Sequence, residues 1–200
     1  MPTVRWVMLG PVSGAVAAIE LAWAATAIYF VVSALLTNKI KRREPIRRRV
    51  LDAILLFGGY FLLFSQLALP GPSNQHFIHT QRGFEIAGVG LSYLGLALTV
   101  WSRVRLGRYW SGVVALKQGH RLIQSGPYRV VRHPLYSGII LAAAGLSLCV
   151  RTWSSLLGIV FLVACFERRA VEEDALLSRE FGAEFESYRE RTGRLLPRVS

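Results

Sequence analysis

Apolar residues in this chain gather into five long runs separated by polar stretches. The runs cover residues 12–36, 50–69, 84–101, 135–150 and 153–166. About twenty apolar residues in a helix span about 30 Å, the depth of a bilayer's hydrocarbon core. The pattern therefore predicts an all-α, multi-pass integral membrane protein with about five transmembrane helices. The first run holds one acid, Glu20, which is costly to expose to lipid and is expected to face a neighbouring helix or an interface. The last two runs are short for a crossing and are parted only by Arg151 and Thr152, so they predict a tight helical hairpin lengthened by its flanks. Pro70-Gly71-Pro72 ends the second run. The first run is too long for the apolar core of a secretory signal, and its charges follow it, so no such signal is expected.

Residues 167–200 differ in kind. They hold eight acids and seven arginines, with Val171, Leu176, Leu177, Phe181 and Phe185 at helical spacing. This predicts an amphipathic helix, broken at Gly182 and closed by Pro197, lying on the cytoplasmic side near the loop that precedes the hairpin. Arg169 and Glu173 stand four apart and would be neighbours on it, as a surface ion pair or as the charged rim of a pocket. The chain divides into an N-terminal transmembrane region of three spans, residues 1–100, and a second part, residues 101–200, holding the loop, the hairpin and the tail.

Charge fixes the orientation. Residues 39–49 carry seven Lys or Arg against one Glu, and residues 102–133 carry seven with no acid. Both loops are cytoplasmic by the positive-inside rule, which puts the N-terminus outside and the C-terminus inside. The net charge of +12 is accounted for next to apolar runs, so no basic soluble domain remains and nucleic acid is not an expected partner. Membrane lipid is, and the chain's small size points to a bacterial inner membrane. Cys149 and Cys165 lie within apolar runs as small buried hydrophobes. His76 and His79, three apart in a polar link, are read as an exterior loop, so no metal is expected.

Residues 119–138, GHRLIQSGPYRVVRHPLYSG, hold the densest chemistry. Gly126-Pro127 signals a turn, and His133-Pro134 predicts a helix beginning at Pro134. Tyr128, Arg129, Arg132, His133 and Tyr136 would then cluster at the helix mouth, where free backbone N–H groups welcome an anionic ligand. A juxtamembrane basic loop with an aromatic belt is the plainer alternative.

Together with RRAVEEDALLSREFGAEFESYRERTGRLLP at residues 168–197, this stretch resembles the isoprenylcysteine carboxyl methyltransferase family, which is related to the phospholipid methyltransferases. The resemblance covers residues 101–198. It implies an integral membrane enzyme that uses S-adenosylmethionine to methylate a lipophilic acceptor, such as a prenylated cysteine carboxylate. His120, Arg121, Leu122, Ile123 and Tyr128 match one cofactor-binding segment, and His133, Pro134, Leu135 and Tyr136 match a second. Glu173 matches the cofactor-contacting acid of the tail. Arg169 matches the arginine that faces the acceptor, with Tyr136 beside the acceptor's entry. The family often has paired glutamates where this chain has Glu173-Asp174, and Glu172 leaves that register open by one residue. Two other readings stand beside this one. Membrane sterol reductases resemble the RHP segment and use NADPH; a non-enzymatic scaffold would need only the basic loops.

Overall fold

The computed structural model describes residues 14–43, 46–64 and 82–198. The lead with Arg5 and Trp6, the Pro70-Gly71-Pro72 stop, and His76 and His79 lie outside them. The described residues are mostly helical: α1 Gly14–Ala34, α2 Ile46–Phe64, α3 Arg82–Leu106, α4 Pro134–Val150, α5 Trp153–Phe181 and α6 Ala183–Arg191. Among the described residues, two helical segments, Gly14–Ala34 and Arg82–Tyr109, are long and apolar enough to cross a membrane, while α4 is apolar but shorter. Exposed Leu21, Val31, Phe57 and Val160 give the helices an apolar outer surface.

Helix α3 packs along α4, and α2 along α5. The first contact is made by small residues at intervals of three and four. Gly88, Ser92, Gly95 and Thr99 of α3 face Gly138, Ala142, Gly145 and Cys149 of α4. A Cβ built at Gly95 would stand 2.4 Å from the Ala142 nitrogen, and one at Gly145 would stand 2.4 Å from the Ser92 nitrogen. The two backbones thus touch directly, the packing that apolar solvent favours because it offers no hydrophobic driving force between helices. Gly59 and Gly158 do the same between α2 and α5, at 2.8 Å from the Gly158 Cβ position to the Gly59 oxygen.

The hairpin forms where expected. Arg151 closes α4 in the left-handed region, and Thr152 caps α5 by accepting from the Ser155 N–H at 3.3 Å. The expected boundary between the fifth apolar run and the tail is not a backbone boundary. Helix α5 continues 29 residues, about 43 Å, through the run and on to Phe181. No helix breaker intervenes, so only the solvent-facing chemistry changes near Glu167. The break comes at Gly182, with φ at 53°, as its sequence position predicts.

The two basic loops meet each other. Strand β1, Ile40–Arg43, pairs antiparallel with β2, Ala115–Lys117, which brings both loops to one end of the helices. Neither segment alternates in polarity, and the pairing was not foreseen.

Candidate active site

The loop before α4 is shaped by its turn residues. Gly126 takes φ at 63°, and Gly126–Arg129 forms one 3-10 turn that buries Pro127 and Tyr128. His133, held out of the helical region at φ −124° by the following proline, caps α4 with Pro134 in its first turn. Three residues on, Tyr136 stacks on the His133 ring at 5.6 Å and 8°, with Phe166 of α5 against it at 4.8 Å and 24°. Glu173 lies seven residues beyond Phe166, two turns along the same face. Its Oε1 accepts from the Tyr136 hydroxyl at 2.5 Å, and its Oε2 lies 3.2 Å from His133 Nδ1.

The other His133 nitrogen, Nε2, meets Asp174 Oδ1 at 2.8 Å, so one imidazole joins two adjacent carboxylates. Burial alone would lower its pKa; the hydrogen bonds to Asp174 and Glu173 outweigh that and raise it to about 8. The ring is then an imidazolium that donates from both nitrogens. Burial would raise Asp174, but its bonds from His133 and Arg132 bring it down to about 2. Asp174 also accepts from Arg132 Nη2 and Arg194 Nε, each at 3.2 Å. Arg132 Nε also donates to Asp174, at 3.3 Å, and its Nη1 donates to the Arg189 carbonyl at 3.2 Å and the Thr192 carbonyl at 2.5 Å.

A cleft of about 780 Å³, its open mouth included, lies over this group. His120, Leu122, Ile123, Tyr128, His133, Leu135, Tyr136 and Glu173 line it, eight of the residues singled out from sequence. Tyr109, Trp110, Leu176, Leu177 and Tyr188 complete much of the wall; Leu176 and Leu177 come from the apolar positions of the tail helix, whereas Tyr109 and Trp110 lie outside both quoted stretches. His120 stacks obliquely on Tyr109 at 5.3 Å, and its Nδ1 is buried without a hydrogen-bond partner among the described residues. Burial lowers its pKa, ahead of the opposing pull of Glu173 and Glu180, so the ring is neutral at pH 7.

Three of the sequence-predicted site residues are not in the lining. Arg121 is exposed beside His120, and Pro134 is buried beneath the helix start. Arg169 is tied elsewhere: its Nε lies 3.2 Å from Asp52 Oδ2, and its Nη1 donates to the Gly112 carbonyl at 3.2 Å. Arg169 and Glu173, adjacent on α5, thus serve different partners rather than each other. Glu172 pairs with Arg48 at 3.3 Å and Arg168 at 3.6 Å, away from the cleft. Of the three consecutive acids, Glu173 alone faces it.

The chain returns to the loop that leads into α4. Residues 192–198 cross it, with a parallel bridge between Val131 and Gly193. The Arg132 N–H donates to the Gly193 carbonyl at 2.8 Å and the His133 N–H to the Arg194 carbonyl at 3.1 Å. Both amides precede the helix, and the returning chain supplies the acceptors that buried amides need.

Asp52 was not singled out. It is fully buried and binds both Arg168 and Arg169. The signal was present: it is the one acid in the run 50–69, as Glu20 is in the first. Among the described residues no group of three His, Cys, Asp or Glu side chains could hold a metal ion.

Residues 88–179 match the model of the isoprenylcysteine carboxyl methyltransferase (ICMT) family. The chain is 31% identical over 119 residues to a protein-S-isoprenylcysteine O-methyltransferase of Schizosaccharomyces pombe, covering 58% of this chain and 50% of that one. It is 31% identical over 118 residues to a probable protein-S-isoprenylcysteine O-methyltransferase of Oryza sativa subsp. indica, covering 54% and 61%. A nickel-cobalt-cadmium resistance protein, NccN, of Alcaligenes xylosoxydans xylosoxydans is 33% identical over 98 residues, covering 48% and 45%. The matched segments thus span about half of the curated relatives' length.

Proposed function

We propose that this chain, which matches the isoprenylcysteine carboxyl methyltransferase family over residues 88–179, is a membrane-embedded methyltransferase that uses S-adenosylmethionine and acts on the carboxylate of a lipophilic, isoprenylcysteine-type acceptor. The observation that carries this reading is the convergence of His133, Tyr136 and Glu173 on one cleft that also holds the unpartnered His120 nitrogen.

The residues suit such a donor. Its adenine would find the neutral His120, with an open nitrogen, and the Tyr109 ring beside it. Leu122, Ile123, Leu176 and Leu177 provide an apolar bed. Glu173 suits an ammonium or a ribose hydroxyl, because a carboxylate makes strong charge-assisted hydrogen bonds. A guanidinium and the start of α4 both suit the donor's carboxylate, and Arg121 is the exposed arginine beside His120. When bound, the cofactor supplies an activated methyl group. An ionised acceptor carboxylate is already nucleophilic, so the protein's task is to position the two reactants. In this reading Arg169 orients the acceptor, Tyr136 lies at its entry, and His133 fixes Glu173 through the shared hydrogen bond.

The same reading takes five segments across the membrane: α1, α2, α3, α4, and the apolar first half of α5. The paired basic strands would then sit at the cytoplasmic end, by the positive-inside rule. The N-terminus would lie outside and the tail of α5 with α6 inside, in a bacterial inner membrane. Residues 1–100 act chiefly as the transmembrane region and 101–200 as the methyltransferase core.

Calorimetric titration of the detergent-purified protein with S-adenosylhomocysteine, with NADPH in parallel, tests the cofactor. Saturable binding of the first is expected, reduced at least tenfold in Glu173→Ala and retained in Arg169→Ala, which loses turnover instead. Binding of NADPH alone would move the chain to the reductases. Binding of neither would leave a scaffold.

A further inference from the structure

Asp52 lies in the second turn of α2, outside the segment that matches the family, yet no part of its side chain is exposed. Its two oxygens serve two arginines. Oδ1 accepts from Arg168 at 3.1 and 3.2 Å, and Oδ2 accepts from Arg169 Nε at 3.2 Å. The two guanidiniums carry two positive charges against one carboxylate, so this corner keeps an excess cation. Arg48 and Glu172, which join the cluster through Arg168, add one charge of each sign and leave the excess in place.

The two arginines are not equivalent. Arg168 is 34% exposed and offers Asp52 a forked contact, whereas Arg169 is 11% exposed and offers only its Nε. Arg169 uses Nη1 on the carbonyl of Gly112, whose neighbours Ser111 and Val113 line the cleft. It therefore joins α2, α5 and the cleft wall, one helical turn before Glu173. A flexible arginine held at its Nε by a buried carboxylate keeps its forked end in one orientation, as bidentate recognition of a carboxylate requires. Stability alone gives a poor account of the arrangement, since well-packed apolar residues serve a helix interface as well as a buried ion pair does.

We propose that Asp52 is a positioning residue of the methyl-transfer site: it sets the Arg169 guanidinium that orients the acceptor's carboxylate, and so makes the N-terminal half of the chain part of the catalytic site. This rests on the methyltransferase reading above. It also assigns Arg168 the lesser part of filling the remaining oxygen of Asp52.

The test uses the full-length protein in detergent, with S-adenosylmethionine and an N-acetylated S-prenylcysteine as acceptor. Asp52→Asn keeps the shape and removes the charge. The expected result is an acceptor KM raised tenfold or more with a smaller change in kcat, while S-adenosylhomocysteine binds within about threefold of wild type. Asp52→Glu should recover part of the loss. The double variant Asp52→Asn/Arg169→Ala should be no worse than Arg169→Ala, because residues acting as a unit are not additive. Where Asp52→Asn does not fold, Asp52→Asn/Arg168→Gln removes one charge of each sign, retains Arg169, and should show the same rise in KM. An unchanged KM in the folded variants, with only thermal stability reduced, overturns the proposal while the methyltransferase reading stands. A wild-type protein that neither binds S-adenosylhomocysteine nor transfers methyl overturns both.

Discussion

The contact between α3 and α4 and the cluster around Asp174 hold neighbouring parts of the molecule together by opposite means. Along α3 and α4 there is almost no side chain to interlock: glycine, serine and alanine let backbone meet backbone. Around Asp174 a single carboxylate gathers His133, Arg132 and Arg194, and through Arg132 the carbonyls of Arg189 and Thr192. In apolar surroundings close approach supplies dispersion and asks for no desolvation. At the polar end charges can be buried because each finds several partners, and the cluster ties four chain segments at once. The first arrangement is sensitive to volume, the second to charge.

That difference can be broken most severely on the volume side. Gly95→Leu puts a side chain where a Cβ already falls 2.4 Å from the Ala142 nitrogen, so α3 and α4 must part. We expect no monodisperse protein by size-exclusion chromatography, whereas enlarging Gly90, which has nothing within 4 Å of its Cβ position, should leave the elution unchanged. Next comes Asp174→Ala, which strands Arg132 without its carboxylate and leaves His133 with Glu173 alone. Breaking a buried pair by removing one partner costs about 3–5 kcal/mol. Cys149 and Cys165 are free and buried, so a thiol-reactive dye followed during heating should report the loss as a lower midpoint.

The mildest test uses pH. The folded pKa of His133 is raised to about 8, above the ordinary 6.5, so its contribution to stability is fully present below about pH 6.5 and is lost as pH rises through about 8. The loss should be on the order of 1–2 kcal/mol. Asp174 has the opposite sense: its contribution is present above its ordinary 3.8 and is lost as pH falls through about 2. Unfolding followed by tryptophan fluorescence should therefore show stability declining between pH 6.5 and 9. In His133→Gln, which cannot ionise, that decline should vanish.

Much of the candidate site was legible because its residues lie within two short stretches. His133 and Tyr136 are one turn apart at a helix start dictated by Pro134, and Glu173 follows Phe166 at helical spacing, so local geometry put each on a usable face. Asp174 escaped because it is adjacent to Glu173 and of the same chemistry; only the position of Arg132 and Arg194 tells the two acids apart. The loop into α4 shows the same limit. Its amides at Arg132 and His133 are covered by residues 193 and 194, about sixty positions later in the chain.

The sequence by itself determined where helices begin, turn and end, since Pro134, Thr152 and Gly182 act through their own backbone torsions and nearest neighbours. It also determined which segments are apolar enough to leave water. Only the tertiary structure decided which charge meets which. Asp52 and Arg169 are 117 residues apart, and a carboxylate is recognised by distance and by what water it has lost, neither of which is written in its own neighbourhood.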